Sequence, residues 1–228
     1  MSGLSNILDE AALATVPDVH GLAIPEFVAA YQAIKSGEGG EVRSVEFLSA
    51  YPQEGAAKVA LGMSLVASQI LGKRILLIDG SAGDDPGLAK ITAAIQTPLN
   101  LAAADTIGSA VVRSRSGALW FATLAPSGNQ KVPSALPTNM EGAGSWIRGL
   151  RDSFDLIIVA ASPSSKTALG LVMAKMVDAV VLVVEAERTR APVVRQLQSH
   201  LHSVGRDPCG AILTNRQYYI PRWLYRWL

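Results

Sequence analysis

Residues 45–58 read Val45-Glu-Phe-Leu-Ser49-Ala-Tyr-Pro52-Gln-Glu-Gly55-Ala56-Ala57-Lys58. A β-branched and apolar run enters a short turn containing Pro52 and closed by Gly55. Val59, Met63, Val66 and Ile70 then recur at helical spacing. Strand, glycine-ended loop and helix in that order form the frame of a phosphate-binding loop. In such a loop a Lys follows the last Gly and reaches the β- and γ-phosphates, and the next Ser or Thr holds Mg²⁺. Here those places hold Ala56 and Ala57, and a methyl group does neither job. Lys58 would serve only through a register shift, which places it one residue into the helix and rotates it by about 100°.

Working outward, short apolar runs recur at residues 45–49, 75–79, 119–124, 156–161, 179–184 and 211–215. Several are continuously apolar, as strands buried on both faces are. Helical patterns lie between them: 26–34, the run after the loop, and Val193, Val194, Leu197 and Leu201. Alternation of strand and helix predicts a doubly wound, mostly parallel α/β sheet, and the loop frame at residues 45–58 makes P-loop NTPase type the expected variant. Gly/Pro/Ser-rich stretches at 80–87 and 126–137 read as loops near strand ends, where such folds bind ligands. The organisation expected is a loose leader over 1–25, an α/β domain over 26–216 and a tail over 217–228.

The composition narrows the function. Charged residues make up 17% of the 228, below the usual ~25%, which leaves less charge to solvate a surface and favours a face covered by a partner or a second copy. The net charge of +1 supplies no field for nucleic acid. One cysteine, Cys209, excludes an internal disulfide and fits a reducing cytoplasm. Asp9 and Glu10 without an apolar stretch argue against a signal peptide, and no apolar run is long enough to span a bilayer. His200 and His202 lie two apart on a predicted helix and point to different sides, so no metal site is expected.

Two further strand ends carry the comparison with known proteins. Ile75-Leu-Leu-Ile-Asp79 follows Gly72-Lys-Arg, and Phe154-Asp-Leu-Ile-Ile-Val-Ala160-Ala-Ser-Pro163 comes later. Val181-Leu-Val-Val-Glu-Ala-Glu-Arg-Thr-Arg190 and Gly210-Ala-Ile-Leu-Thr-Asn215-Arg complete the series. In this order and spacing, from about Glu26 to the C-terminus, the chain resembles the cytoplasmic kinase domain of bacterial tyrosine kinases (BY-kinases) of capsule and exopolysaccharide synthesis. These are relatives of the MinD/ParA-type P-loop ATPases. The family loop runs roughly Ser-x-x-Pro-Gly-Glu-Gly-Lys-Ser/Thr; Ser49, Pro52, Glu54 and Gly55 match it, and Gln53, Ala56 and Ala57 do not. The family's Asp-x-Asp-x-Arg keeps only Asp79, with Ser81 and Gly83 in the other places. Ala160 stands where a strand-ending Asp would serve Mg²⁺. Glu26 keeps the start of a Glu-x-x-Arg-x-x-Arg helix used in ring assembly, and Ala29 and Gln32 replace both arginines.

The resemblance implies a degenerate, pseudokinase-like member. No catalytic residue and no cofactor is expected, although weak ATP or ADP binding stays open. The family's adenine-contacting Asn falls on Asn215, which reads equally as a turn residue; Asp79 reads as a turn cap or a residual metal ligand. The partner implied is a membrane polysaccharide co-polymerase (chain-length regulator), with homo-oligomers open and a location at the inner face of the bacterial inner membrane. An active tyrosine autokinase with an unusual loop and a MinD/ParA-like membrane positioning protein are the alternatives.

The tail adds a second feature. In Gln217-Tyr218-Tyr219-Ile-Pro221-Arg222-Trp223-Leu-Tyr225-Arg-Trp227-Leu228, Ile220, Trp223, Leu224, Trp227 and Leu228 form one apolar stripe behind Pro221. Two Trp, three Tyr and two Arg without an acid suit a membrane interface, a groove on a membrane partner, or the chain's own core.

Overall fold

The computed structural model describes residues 23–36, 40–81, 86–92, 112–113, 118–124, 147 and 149–216. Within them the chain runs α1 (Ile24–Lys35), β1 (Ser44–Ser49), a 3₁₀ turn (Pro52–Glu54), α2 (Ala56–Leu65), β2 (Ile75–Gly80), α3 (Pro86–Thr92), β3 (Val112–Arg113), β4 (Leu119–Thr123), β5 (Leu156–Ala161), α4 (Leu169–Ala174), β6 (Ala179–Glu185), α5 (Ala191–Ser203) and β7 (Gly210–Thr214). The sheet order is β3-β4-β2-β5-β1-β6-β7. All pairings are parallel except β3 with β4 at one edge.

The continuously apolar runs become the inner strands: β1, β2 and β5 are buried along their whole length. Side chains alternate between two cores because strand neighbours point to opposite faces. Phe47, Leu77, Ile158 and Val181 join the core under α1, α2 and α3. Leu48, Ile78, Val159 and Leu182 join the core under α4 and α5. Helices therefore cover both faces of a parallel sheet, the doubly wound architecture expected from the alternation.

Helix α1 begins at Ile24, two residues before the expected start, with Pro25 in its first turn. Helix α2 continues as a π-helical turn over Val66–Ile70. The stretch 80–87 is not loop to its end, because α3 starts at Pro86. Helix α4 and the two-residue β3 had no counterpart in the sequence reading. The leader up to residue 22, the stretch 126–137 and the tail 217–228 lie outside the described residues. Among the described residues no helix is long and apolar enough to cross a membrane.

Candidate functional site

In an open parallel sheet, ligands sit beyond the carboxyl ends of the strands where the strand order reverses. Here that point is β1, flanked by β5 on one side and β6 on the other. The loop after β1 has the geometry its sequence predicts. Tyr51 is extended (φ −127°, ψ 153°), Pro52–Glu54 make the 3₁₀ turn, and Gly55 takes φ 80° before α2 starts at Ala56. A left-handed φ is costly for a residue with a Cβ, which accounts for glycine at 55.

The chemistry at this point is apolar. Ala56, Ala57 and Ala160 are 3%, 6% and 0% exposed and belong to one hydrophobic cluster with Phe47, Ala60 and Ile158. Ala160 lies in register with Phe47 on one side and Asp79 on the other. Methyl groups therefore close the three positions at which Mg-ATP would need a cation, a hydroxyl and a carboxylate. Lys58 is exposed on the first turn of α2, outside that cluster. These residues do not fit a magnesium nucleotide.

Asp79 is buried, and its Oδ1 accepts the Ser81 backbone N–H (2.8 Å) and hydroxyl (2.6 Å). It caps the turn that follows its own strand. Asn215 adopts φ 53°, a left-handed conformation that Asn tolerates better than most residues. Its amide donates to Glu185 Oε1 at 3.0 Å, and Arg188 donates to the same oxygen at 3.3 Å. Asn215 is thus built into the turn leaving β7.

Glu54 has a role that motif matching missed. Its side chain is buried, and Oε2 accepts the backbone N–H groups of Ala50 (2.6 Å) and Tyr51 (2.9 Å). Its Oε1 accepts the Thr189 hydroxyl, and its carbonyl accepts the Thr214 hydroxyl at 2.9 Å. One residue fastens the loop to the ends of β6 and β7. Charge-assisted bonds to backbone N–H groups are the strong kind, and an acid placed three or four residues after the chain enters a Pro turn is the signal for such a cap.

A second buried acid lies lower in β1. Glu46 is 0% exposed, and neither carboxylate oxygen has a hydrogen-bond partner. Burial pushes its pKa well above the ordinary carboxylate value. Two residues before it on the same strand face, Ser44 exchanges hydrogen bonds with Asp178, and Arg151 pairs with Asp178 Oδ1 at 2.6 Å.

Other expected features are placed as follows. Glu26, Ala29 and Gln32 are exposed on α1, so the helix presents to solvent a face lacking both family arginines. His200 and His202 are exposed on α5, and His202 Nδ1 contacts Asp207 at 3.0 Å. Among the described residues no three His, Cys, Asp or Glu side chains group as metal ligands. Tyr218, Tyr219, Arg222, Trp223 and Trp227 lie outside the described residues.

With this geometry in hand, solved structures supply the class. The chimerical protein CapA2B2 superposes with a TM-score of 0.69 at 18% identity, over 94% of this chain and 94% of that one. The VpsO kinase domain gives 0.65 at 21% identity, over 87% and 97%. The kinase domain of Escherichia coli tyrosine kinase ETK gives 0.63 at 17% identity, over 87% and 79%. A chain of the Aquifex aeolicus MinC:MinD cell division protein complex gives 0.57 at 16% identity, over 75% and 68%. No protein-family model and no curated protein matches the sequence. The chain has the P-loop α/β fold shared by bacterial tyrosine kinase domains and MinD/ParA-like proteins, and at these identities the likeness is one of fold.

Proposed function

We propose that this chain is a non-catalytic subunit of capsule or exopolysaccharide synthesis and export, regulating or scaffolding a membrane polysaccharide co-polymerase. The observation that carries the reading is the buried cluster of Ala56, Ala57 and Ala160 on a kinase-like fold. Phosphoryl transfer rests on positioning and on neutralising charge. A site closed by methyl groups offers neither, while the fold that presents surfaces to partners is intact. The polysaccharide setting and the co-polymerase come from the family resemblance of the sequence. A place at the inner face of the inner membrane follows from such a partner, with the tail around Trp223 and Trp227 as the attaching segment.

Purified protein incubated with Mg-ATP, then analysed by mass spectrometry, should carry no phosphate on Tyr218, Tyr219 or Tyr225. In cells, deleting the chain should alter polymer length or yield, and Asp79→Asn should complement as well as the wild type. Stoichiometric tyrosine phosphate that disappears in Asp79→Asn would overturn the reading.

A further inference from the structure

The charges of this domain are unevenly placed between the two ends of its strands. At the amino ends, cations pair with acids: Arg43 with Glu41, Arg74 with Asp155 and Arg151 with Asp178. At the carboxyl ends, the stretches that follow β5, β1, β6 and β7 carry Lys166, Lys58, Arg188, Arg190 and Arg216, all exposed. The acids of these stretches are Glu54 and Glu187. Glu54 is buried and spends its carboxylate on the loop, while Glu187 is exposed. Arg188 reaches Glu185 at 3.3 Å with its side chain still 71% exposed.

Hydrogen bonds hold these stretches side by side. Ser164 and Ser165 donate backbone N–H groups to the Ser49 and Ala50 carbonyls at 3.0 and 3.1 Å. On the other flank, Thr189 and Thr214 donate their hydroxyls to Glu54. Lys58 is in the first turn of α2, where side chains lean back toward the helix start. Strands β5, β1, β6 and β7 are neighbours in that order, so steps of about 4.8 Å make a row roughly 14 Å long. Helices α2 and α5 begin on this row without an acid in the first turn, so their positive ends add to its field. Tyr51 is 39% exposed within the row, and its backbone is fixed by Glu54.

We infer that this carboxyl edge is a lipid-facing surface, which sets the domain against anionic phospholipid headgroups; the inference rests on the membrane-side location proposed above. Headgroup phosphates form a plane of charge, and cations delivered by four separate strand ends suit a plane better than a pocket for one ligand. Tyr51 has the apolar ring and polar tip of an interfacial side chain. The chain also leaves the domain from this edge, at Arg216, into residues 217–228, which include Trp, Tyr and Arg and no acid. The loop that has lost its nucleotide chemistry is then the part of the domain nearest the bilayer.

Full-length protein should co-sediment with vesicles of equal parts phosphatidylglycerol and phosphatidylcholine, not with phosphatidylcholine alone, and added salt should release it. Each Lys or Arg at an anionic surface contributes about fivefold in affinity, so Lys58→Gln/Arg190→Gln should bind about tenfold or more weakly. Lys73→Gln/Lys175→Gln makes the same change of net charge at the amino ends and should bind within about threefold of wild type, being more than a Debye length away. A second readout leaves the charges in place. A fluorophore on Gln53→Cys in a Cys209→Ser chain should be quenched by nitroxide-headgroup lipid, and the same fluorophore on native Cys209, just before β7, should not. Equal binding by the two double variants would overturn the inference, as would binding indifferent to phosphatidylglycerol. Quenching at Cys209 and not at position 53 would overturn it too. If vesicles fail and polyglutamate binds through Lys58 and Arg190, the occupant is an acidic peptide and the lipid-facing assignment is wrong. The non-catalytic reading is tested separately, by tyrosine phosphate and complementation, and survives any of these failures.

Discussion

A lysine at position 56 would have to lead its stem out of the apolar cluster that holds Phe47, Ala60 and Ala160. It would also set a cation at the positive end of α2. Ala56→Lys should therefore lower stability by about 1–3 kcal/mol in urea unfolding, the usual cost of forcing extra volume into a packed core. It should bring no ATPase activity, since Ala160 and Ser81 still lack the carboxylates. Glu46 makes a different prediction at the same scale. Its folded pKa is raised, so between its unfolded and folded pKa values the native state holds a proton that the unfolded state has lost. Stability from this group is full below the unfolded pKa, about 4.3, and falls as pH rises above it. Glu46→Gln should flatten that decline, which unfolding curves measured from pH 5 to pH 8 would register. Asp155 works in the opposite sense. Its hydrogen bond from Arg74 holds its pKa below the ordinary value, so its contribution is lost as pH falls through that lowered pKa.

Short elements depend on close approach more than on propensity. Helix α4 reaches the sheet at Gly170, where a Cβ would stand 2.6 Å from Leu48 Cδ1 and 3.2 Å from the Ser162 carbonyl. Leu48 is fully buried, so moving its side chain displaces other core residues, and the Ser162 carbonyl is backbone. Gly170→Ala should thus cost about 1–3 kcal/mol by calorimetry or denaturant unfolding despite alanine's higher helix propensity, since overpacking outweighs a gain of about 1 kcal/mol. The same element shows why some of the fold escaped the sequence. Leu169-Gly-Leu-Val-Met-Ala174 is apolar throughout and only six residues long, so it displays no stripe. β3, Val112–Arg113, is too short to show alternation. The runs at 75–79 and 156–161 were legible because strands buried on both faces must be apolar at every position. At the site, the loop's shape was legible through Pro52 and Gly55, and its chemical loss through Ala56, Ala57 and Ala160. The Glu54 latch was not, because its partners Thr189 and Thr214 lie 135 and 160 residues away and only the sheet order brings them near.

At the scale of the whole molecule, a ligand that binds the native state alone must raise its stability in proportion to its affinity. An intact P-loop site exposed to nucleotide at a hundredfold excess over Kd would gain about 2.7 kcal/mol. Here the phosphates would find only the backbone N–H groups at the start of α2, and the loop's first two, from Ala50 and Tyr51, are already held by Glu54. Millimolar ATP with Mg²⁺ should accordingly leave the melting temperature within about 1 °C of the ligand-free value, well short of the several degrees that 2.7 kcal/mol produces in a domain of this size. Residual affinity resting on those N–H groups should be indifferent to the metal, because Ala57 and Ala160 stand where a hydroxyl and a carboxylate would hold it. The decisive comparison is ATP with Mg²⁺ against ATP with a chelator in the same scan. A large upward shift that collapses on chelation would mean that the chain gathers metal ligands from residues beyond the buried cluster, and the non-catalytic reading would fail with it.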